Sequence, residues 1–73
     1  MNMQTLVFNT TTKEVTVKEG TQITFVFLNV QTVKPMESGY YEVYQKNEDF
    51  DGNTFTVPVF RAPIANTNMI IQK

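Results

Sequence analysis

The sequence of 73 residues contains no cysteine and no histidine, and these absences exclude several kinds of chemistry. Without cysteine the chain forms neither a disulfide nor a thiolate metal site. Without histidine it builds neither the usual structural zinc sites nor Ser-His and Cys-His nucleophile pairs. The one serine, Ser38, stands beside Gly39 in a turn-like segment. We therefore expect no catalytic residue, no cofactor and no enzymatic activity.

Residues that favour helix are also scarce. Alanine and leucine together number four, whereas threonine, valine and isoleucine together number 24. No window repeats apolar residues with the i, i+3, i+4, i+7 spacing of an amphipathic helix. Because β-branched residues are enriched in strands, the composition predicts an all-β domain with little or no helix, spanning residues 1–73 without a linker.

The sequence also lacks a large excess of charge of either sign and lacks long apolar runs. Six basic residues face seven acidic residues, for a net charge of −1. A protein that follows DNA phosphates carries a basic face, so we expect no double-stranded DNA partner. No apolar run approaches the roughly 18 residues of a membrane span, and residues 1–5 lack the charged start of a signal peptide. We expect no membrane partner and a cytoplasmic location.

Residues 21–30 form the longest β-branched and aromatic run, and they predict a strand. Strand alternation divides the run into two faces, with Ile23, Phe25 and Phe27 on one and Val26, Leu28 and Val30 on the other. A sheet with one wet face alternates apolar and polar residues. The second half of this strand is apolar on both faces, so it requires a closed barrel, a second sheet or another copy of the chain.

The other strands are predicted from alternation and turn residues. Residues 3–18 predict a hairpin that continues into a three-stranded meander over residues 3–30. Residues 31–39, interrupted by Pro35, are predicted to be a connection. Further strands are predicted at residues 40–46, 54–60 and 68–72, with a corner at residues 61–63.

Pro58 places the predicted strand at residues 54–60 at an edge or a bulge, because a central strand needs the backbone N–H that proline lacks. Closely spaced short strands are typical of small antiparallel folds. The whole pattern predicts a small antiparallel sheet of five or six strands, which closes as a small barrel or a compact sandwich.

The candidate ligand-binding residues are aromatic and polar: Tyr40, Tyr44, Arg61, Asn66 and Asn68. The two tyrosines share a strand face, where they would stack on a base. Arg61, with Lys46, would hold a phosphate, and the asparagine amides would read polar edges. An alternative stays open, because tyrosines on a strand face are commonly packing partners or subunit contacts. Glu42 shares that face, where a carboxylate commonly accepts a phenol hydrogen bond.

The acidic loop at residues 49–53 is the one candidate for an all-oxygen metal site. Asp49, Asp51 and Asn53 alternate like the opening of a calcium loop. The match fails, because Gly52 stands in the fourth position instead of the sixth and Phe60 stands where the twelfth-position glutamate belongs. We therefore expect a solvated turn and no metal.

Assembly from several copies is predicted from size. One core of this size supplies only about 3–5 kcal/mol of net stability, and small domains commonly add disulfides, a metal or oligomerisation. Oligomerisation is the option left to this chain. The candidate interface residues come from the two-faced strand and the apolar C-terminal segment: Val26, Leu28, Met69 and Ile71.

The functional hypothesis is a non-enzymatic binding protein that acts as a homo-oligomer. It would sequester a small ligand such as a nucleotide signal, or inhibit a host protein or other macromolecule. The sequence contains no family motif, but its small, Thr- and Asn-rich, all-β character is what we expect of a small phage accessory protein. If the chain is of viral origin, we expect an anti-defence role in the host cytoplasm. The alternatives are a structural assembly or decoration subunit of a virion, and a small barrel that binds single-stranded nucleic acid. The net charge counts against the last.

Overall fold

The computed structural model describes residues 3–73 as an all-β fold, so residues 1 and 2 of the predicted domain lie outside the described part. In chain order the elements are β1 Gln4–Asn9, β2 Glu14–Glu19, β3 Gln22–Phe27, β4 Val30–Pro35, β5 Tyr40–Glu48, β6 Thr54–Pro63, a 3-10 turn at Ile64–Asn66, and β7 Thr67–Gln72. The all-β prediction is confirmed, but the described chain has seven strands where five or six were predicted. It contains no helix long and apolar enough to cross a membrane.

The strands form two sheets, one with the order β3-β2-β1-β7 and one with the order β4-β5-β6. The predicted hairpin and three-stranded meander are confirmed by the antiparallel pairing of β1 with β2 and of β2 with β3. β7 returns beside β1 in parallel, which departs from the purely antiparallel prediction and fixes the apolar C-terminal segment in its own sheet. Of the two predicted arrangements, the closed barrel is wrong, and the described chain instead forms two separate sheets, as the compact sandwich requires.

Two segments predicted as connections are strand. Val30–Pro35 forms β4 and pairs with β5, and the predicted corner at residues 61–63 is the end of β6. Both strands lie at edges of the three-stranded sheet. Proline is tolerated on an edge, because its missing N–H need not serve a ladder. Pro35 and Pro63 are therefore the last residues of β4 and β6, and they do not prevent these strands from forming.

A bulge in β3 corrects the predicted faces of the central strand. Val17 pairs with Phe25, but Lys18 pairs with Ile23, so Thr24 is the extra residue. The Thr24 hydroxyl donates a hydrogen bond to the Val17 carbonyl over 3.1 Å. Paired residues share a side of the sheet. Ile23 therefore lies on the outer side with Lys18, and not on the core side with Phe25.

A second bulge lies in β6. Val43 pairs with Phe60 and Tyr44 pairs with Pro58, which leaves Val59 as the extra residue. Pro58 therefore lies in an edge strand and beside a bulge, and both predicted placements are confirmed. The shift gives the core position to Phe60, although the alternation predicted it for Val59.

The core lies between the two sheets. Its buried apolar residues come from both: Leu6, Phe8, Val15, Val17, Val30, Val43 and Ala62. Val30 is only 1% exposed, although the sequence placed it on the face of Val26 and Leu28. Asn29 adopts a left-handed conformation with φ 56°, which ends the alternation and turns the chain into the second sheet. Asparagine tolerates this region better than most residues.

Candidate functional site

The outer side of the three-stranded sheet carries a connected group of side chains. We call it the tyrosine face: Lys34, Tyr40, Glu42, Tyr44 and Arg61. Pairing of β5 with both neighbours sets Glu42 between Lys34 and Arg61. Because Val43 is fully buried, the residues on either side of it in β5 point away from the core.

Each member of the tyrosine face contacts another. The Arg61 Nε lies 3.0 Å from the Glu42 Oε2, and its guanidinium carbon lies 4.9 Å from the Tyr40 ring centroid. The Tyr44 hydroxyl donates to the Glu42 Oε1 over 2.5 Å. The Lys34 Nζ lies 5.4 Å from the Tyr44 ring centroid. The contacts form one chain from Tyr40 through Arg61, Glu42 and Tyr44 to Lys34, with one cation beside each ring.

The carboxylate of Glu42 sets the electrostatics of the face. Its hydrogen bond with the Tyr44 hydroxyl is the main cause that raises the pKa of Tyr44 above the usual 10.0. Burial and the negative charge of Glu42 raise it further, and the positive charge of Arg61 opposes them. Tyr44 is therefore a neutral donor at physiological pH. Two cations face one carboxylate, so the tyrosine face carries a net positive charge.

The structure brings Tyr40, Tyr44 and Arg61 together but places the two predicted asparagines elsewhere. Asn66 lies in the 3-10 turn between β6 and β7. Asn68 lies in β7 of the four-stranded sheet, where it pairs with Thr5 of β1. The predicted cluster of five residues is thus divided among the tyrosine face, the 3-10 turn and the four-stranded sheet.

Of the two remaining members of the tyrosine face, one was predicted from the sequence and one was not. Glu42 was predicted to share the tyrosines' face and accept a phenol hydrogen bond, and both points are confirmed. Lys34 was missed, because residues 31–39 were predicted to be a connection. The signal was present in Thr32, Val33 and Lys34, since a valine between two polar residues is the alternation of a half-buried strand.

An open groove adjoins the tyrosine face at the β6 bulge. It has a volume of about 520 Å³ and is lined by Glu42, Pro58, Val59, Phe60 and Arg61. The bulge exposes Pro58 and Val59 beside the ion pair. The region therefore offers an apolar wall, a guanidinium and aromatic rings, which together suit a flat molecule with an anionic group.

A second open cleft lies at the junction of the two sheets. Its volume is about 430 Å³, and its lining is mostly polar: Lys13, Asn29, Val30, Gln31, Lys46, Asn47, Glu48 and Thr54. Lys46, predicted to hold a phosphate with Arg61, lines this cleft and pairs with Thr56 across β5 and β6. The cleft lacks aromatic side chains, so it offers no stacking surface.

The four candidate interface residues differ in exposure. Val26 is 51% exposed and Leu28 is 56% exposed, at the edge strand β3 and just after it. Ile71 is 62% exposed at the end of β7. Met69 packs against the core of its own chain. The apolar surface available to another molecule is therefore largest along β3.

The acidic loop forms a turn that uses its own carboxylate. The Asp49 Oδ1 accepts backbone hydrogen bonds from Asp51 and Asn53, each over 2.9 Å. Among residues 3–73, no group of three or more acidic side chains is placed to hold a metal ion. This loop is the local Asx turn that an aspartate at its start favours.

These features define a small two-sheet β protein with an exposed tyrosine and arginine surface. Comparison with models of known protein families, with curated proteins and with solved structures finds no match. The functional proposal therefore rests on the geometry of this chain.

Proposed function

We propose that this chain is a non-enzymatic binding protein that acts as a homo-oligomer and holds its ligand on the tyrosine face. The observation that carries the proposal is the ordering of two tyrosines and an arginine by mutual contacts outside the core. Such side chains provide large contact areas with few rotatable bonds. Contacts formed before binding also reduce the entropy that a ligand must offset.

The ligand class that fits best is a small nucleotide. A planar base stacks on tyrosine, and the Lys34 ammonium and the Arg61 guanidinium attract phosphate. Glu42 accepts hydrogen bonds and partly neutralises Arg61 over 3.0 Å. Because the cations exceed the carboxylate by one charge, the face suits a ligand of low charge, such as a monophosphate or a cyclic nucleotide, better than a long polyanion.

Isothermal titration calorimetry with AMP, GMP and a cyclic dinucleotide tests this assignment. We expect saturable binding of at least one probe. Loss of a stacking ring weakens nucleic-acid binding by about 1–3 kcal/mol, so Tyr40→Ala or Tyr44→Ala should weaken the affinity by about 5- to 150-fold. Thr56→Ala, an exposed β6 residue outside the contact chain, is the matched control. No heat from any probe, or equal affinity in every variant, would contradict the nucleotide assignment.

A structural assembly subunit is the second candidate function. β3 and β7 are the two edges of one sheet, and neither strand contains a charged residue or proline. Uncharged edges on opposite sides of a sheet favour serial pairing between copies. Open polymers whose length grows with concentration would support this function, whereas a small closed particle supports the binding protein.

A further inference from the structure

The two sheets end in four edge strands that differ in their protection. Natural proteins protect sheet edges with charged side chains, proline and bulges, since an exposed edge pairs readily with another strand. In the three-stranded sheet, β4 carries Lys34 and Pro35, and β6 carries Pro58, Arg61 and Pro63. Both edges of that sheet are therefore blocked against further pairing.

β3 has neither charge nor proline. No charged residue occurs anywhere in residues 21–33. Apolar side chains are exposed on both sides of the strand: Ile23 at 55% and Val26 at 51% on the outer side, and Phe25 at 53% at the rim of the core. The bulge at Thr24 lies in the first half of the strand and leaves residues 25–27 in regular pairing with β2. An edge of this composition is a template for another strand.

β7, the opposite edge of the same sheet, is a weaker template. Met69 is turned into the core, and Lys73 follows the strand directly. β7 exposes two large apolar side chains, Ile70 and Ile71, whereas β3 exposes three. β3 is therefore the edge that combines the larger exposed apolar surface with the longer uncharged segment.

We infer that β3 of one copy pairs antiparallel with β3 of a second copy, across a two-fold axis perpendicular to the four-stranded sheet. The inference rests on the proposed homo-oligomeric function and names the partner and the strand. A second copy suits this edge, because residues 21–33 bring no like charges into opposition. Antiparallel pairing is also slightly stronger than parallel pairing, and a two-fold interface is closed.

The geometry of this dimer connects assembly to the tyrosine face. A two-fold axis perpendicular to the sheet keeps the outer side of both copies on one side, so Val26 of each copy lies on the same surface. Phe25, which contacts Phe60 at a centroid distance of 5.8 Å, lies at the rim of each core and approaches the partner copy. The tyrosine face belongs to the other sheet and stays accessible. Both tyrosine faces of the dimer then point in the same direction.

Cysteine cross-linking tests the pairing, because the natural sequence contains no cysteine. Val26 and Ile70 lie in one cross-strand row with Thr16 and Val7, at opposite edges of the sheet. We expect air or copper-phenanthroline oxidation to convert Val26→Cys or Thr24→Cys, alone or mixed, mainly into disulfide-linked dimers. Ile70→Cys alone is the matched control and should remain monomeric on a denaturing gel, and adding it to Val26→Cys should produce no cross-link between the two variants.

The alternative outcomes separate this inference from the proposed function. Cross-links only in the mixture of Val26→Cys with Ile70→Cys would indicate serial pairing and overturn the β3 dimer. An oligomeric mass by sedimentation without β3 cross-links would overturn the β3 dimer and leave the homo-oligomer standing. A monomeric mass without cross-links would overturn both. Nucleotide calorimetry reports on the tyrosine face independently of all three outcomes.

Discussion

At the scale of residues, Glu42 organises the exposed surface. Its carboxylate accepts the Tyr44 hydroxyl and pairs with Arg61, and its side chain is 14% exposed against 54% for Arg61. Because the Arg61 side chain is more than half exposed and solvent screens its charge, this ion pair contributes only about 0–1 kcal/mol to stability. The contacts therefore matter more for the positions of the tyrosines than for the stability of the fold.

The raised pKa of Tyr44 makes this arrangement measurable. The hydrogen bond to Glu42 stabilises the neutral phenol, so its contribution to stability is present below the usual tyrosine pKa and is lost as the pH rises through the raised value. Glu42→Gln should lower the pKa of Tyr44 toward 10.0. The measurement is a tyrosinate absorbance titration, with Tyr44→Phe identifying the signal.

Glu37→Gln, a change at an exposed residue outside the tyrosine face, is the control for that titration. It removes the same negative charge and should leave the Tyr44 titration where it is in the unchanged protein. An equal shift in both glutamine variants would show that net charge, and not the local hydrogen bond, governs the phenol.

Single residues also explain where the sequence-based prediction fails. Asn29 with φ 56° ends the alternation that residues 21–30 display, so Val30 enters the core. Thr24 adds one residue to β3 and moves Ile23 to the outer side. Neither residue is marked in the sequence, because Asn and Thr are also compatible with a continuous strand. In each case the backbone conformation of one residue determines which side of the sheet the neighbouring side chain faces.

At the scale of elements, strands with clear alternation are predictable, whereas strand segments that end in proline were missed. Val15 and Val17 alternate with polar residues, and β2 lies where they predict it. β4 and the end of β6 were missed, because Pro35 and Pro63 resemble connection residues. A strand accepts proline when it lies at a sheet edge. Whether a strand lies at an edge depends on the folded sheet and cannot be read from the local sequence. The tyrosine face was predicted in part for the same reason, since Lys34 lies in β4.

β7 carries a buried hydroxyl that gives a stability prediction. Thr67 is 7% exposed, and its Oγ1 has no hydrogen-bond partner within the described chain. An unsatisfied buried polar group is destabilising by about 1–3 kcal/mol. Thr67→Val keeps the shape and removes the hydroxyl, so the free energy of unfolding should rise by about 1 kcal/mol, measured by urea denaturation.

The matched control for that change is Thr10→Val, which lies beside the opposite end of β7. The Thr10 hydroxyl donates to the Gln72 carbonyl over 3.0 Å, so the same substitution there removes a hydrogen bond and should lower the free energy of unfolding by up to about 1 kcal/mol. A lower stability for Thr67→Val would indicate that its hydroxyl does have a partner, such as bound water.

At the scale of the whole molecule, the proposed assembly edge and the proposed binding face belong to different sheets. The unprotected edge is β3 of the four-stranded sheet, and the tyrosine face is the outer side of the three-stranded sheet. The core that joins them consists of seven buried apolar residues. Because a core in a domain of this size supplies about 3–5 kcal/mol, the proposed association with a second copy would add stability that depends on protein concentration.

The arrangement of two sheets could not be predicted from local patterns alone. The sequence indicated that residues 21–30 need a second cover, and it left a barrel, a second sheet and another copy as alternatives. The core side of β3 is covered by the second sheet, through the contacts of Phe25 and Phe27 with Phe60. The outer side, with Val26 and Leu28, remains exposed in the single chain. The proposed second copy would therefore cover that side and the β3 edge.

Sedimentation equilibrium of the unchanged protein and of Val26→Asp tests the central claim most directly. The unchanged protein should have twice the 8.4 kDa chain mass, and Val26→Asp should be monomeric, because two like charges would meet across the two-fold axis. Thr16→Asp places the same charge on the paired residue of the central strand β2 and should remain dimeric. With circular dichroism showing all three folded, a monomeric unchanged protein or a dimeric Val26→Asp would contradict the β3 dimer.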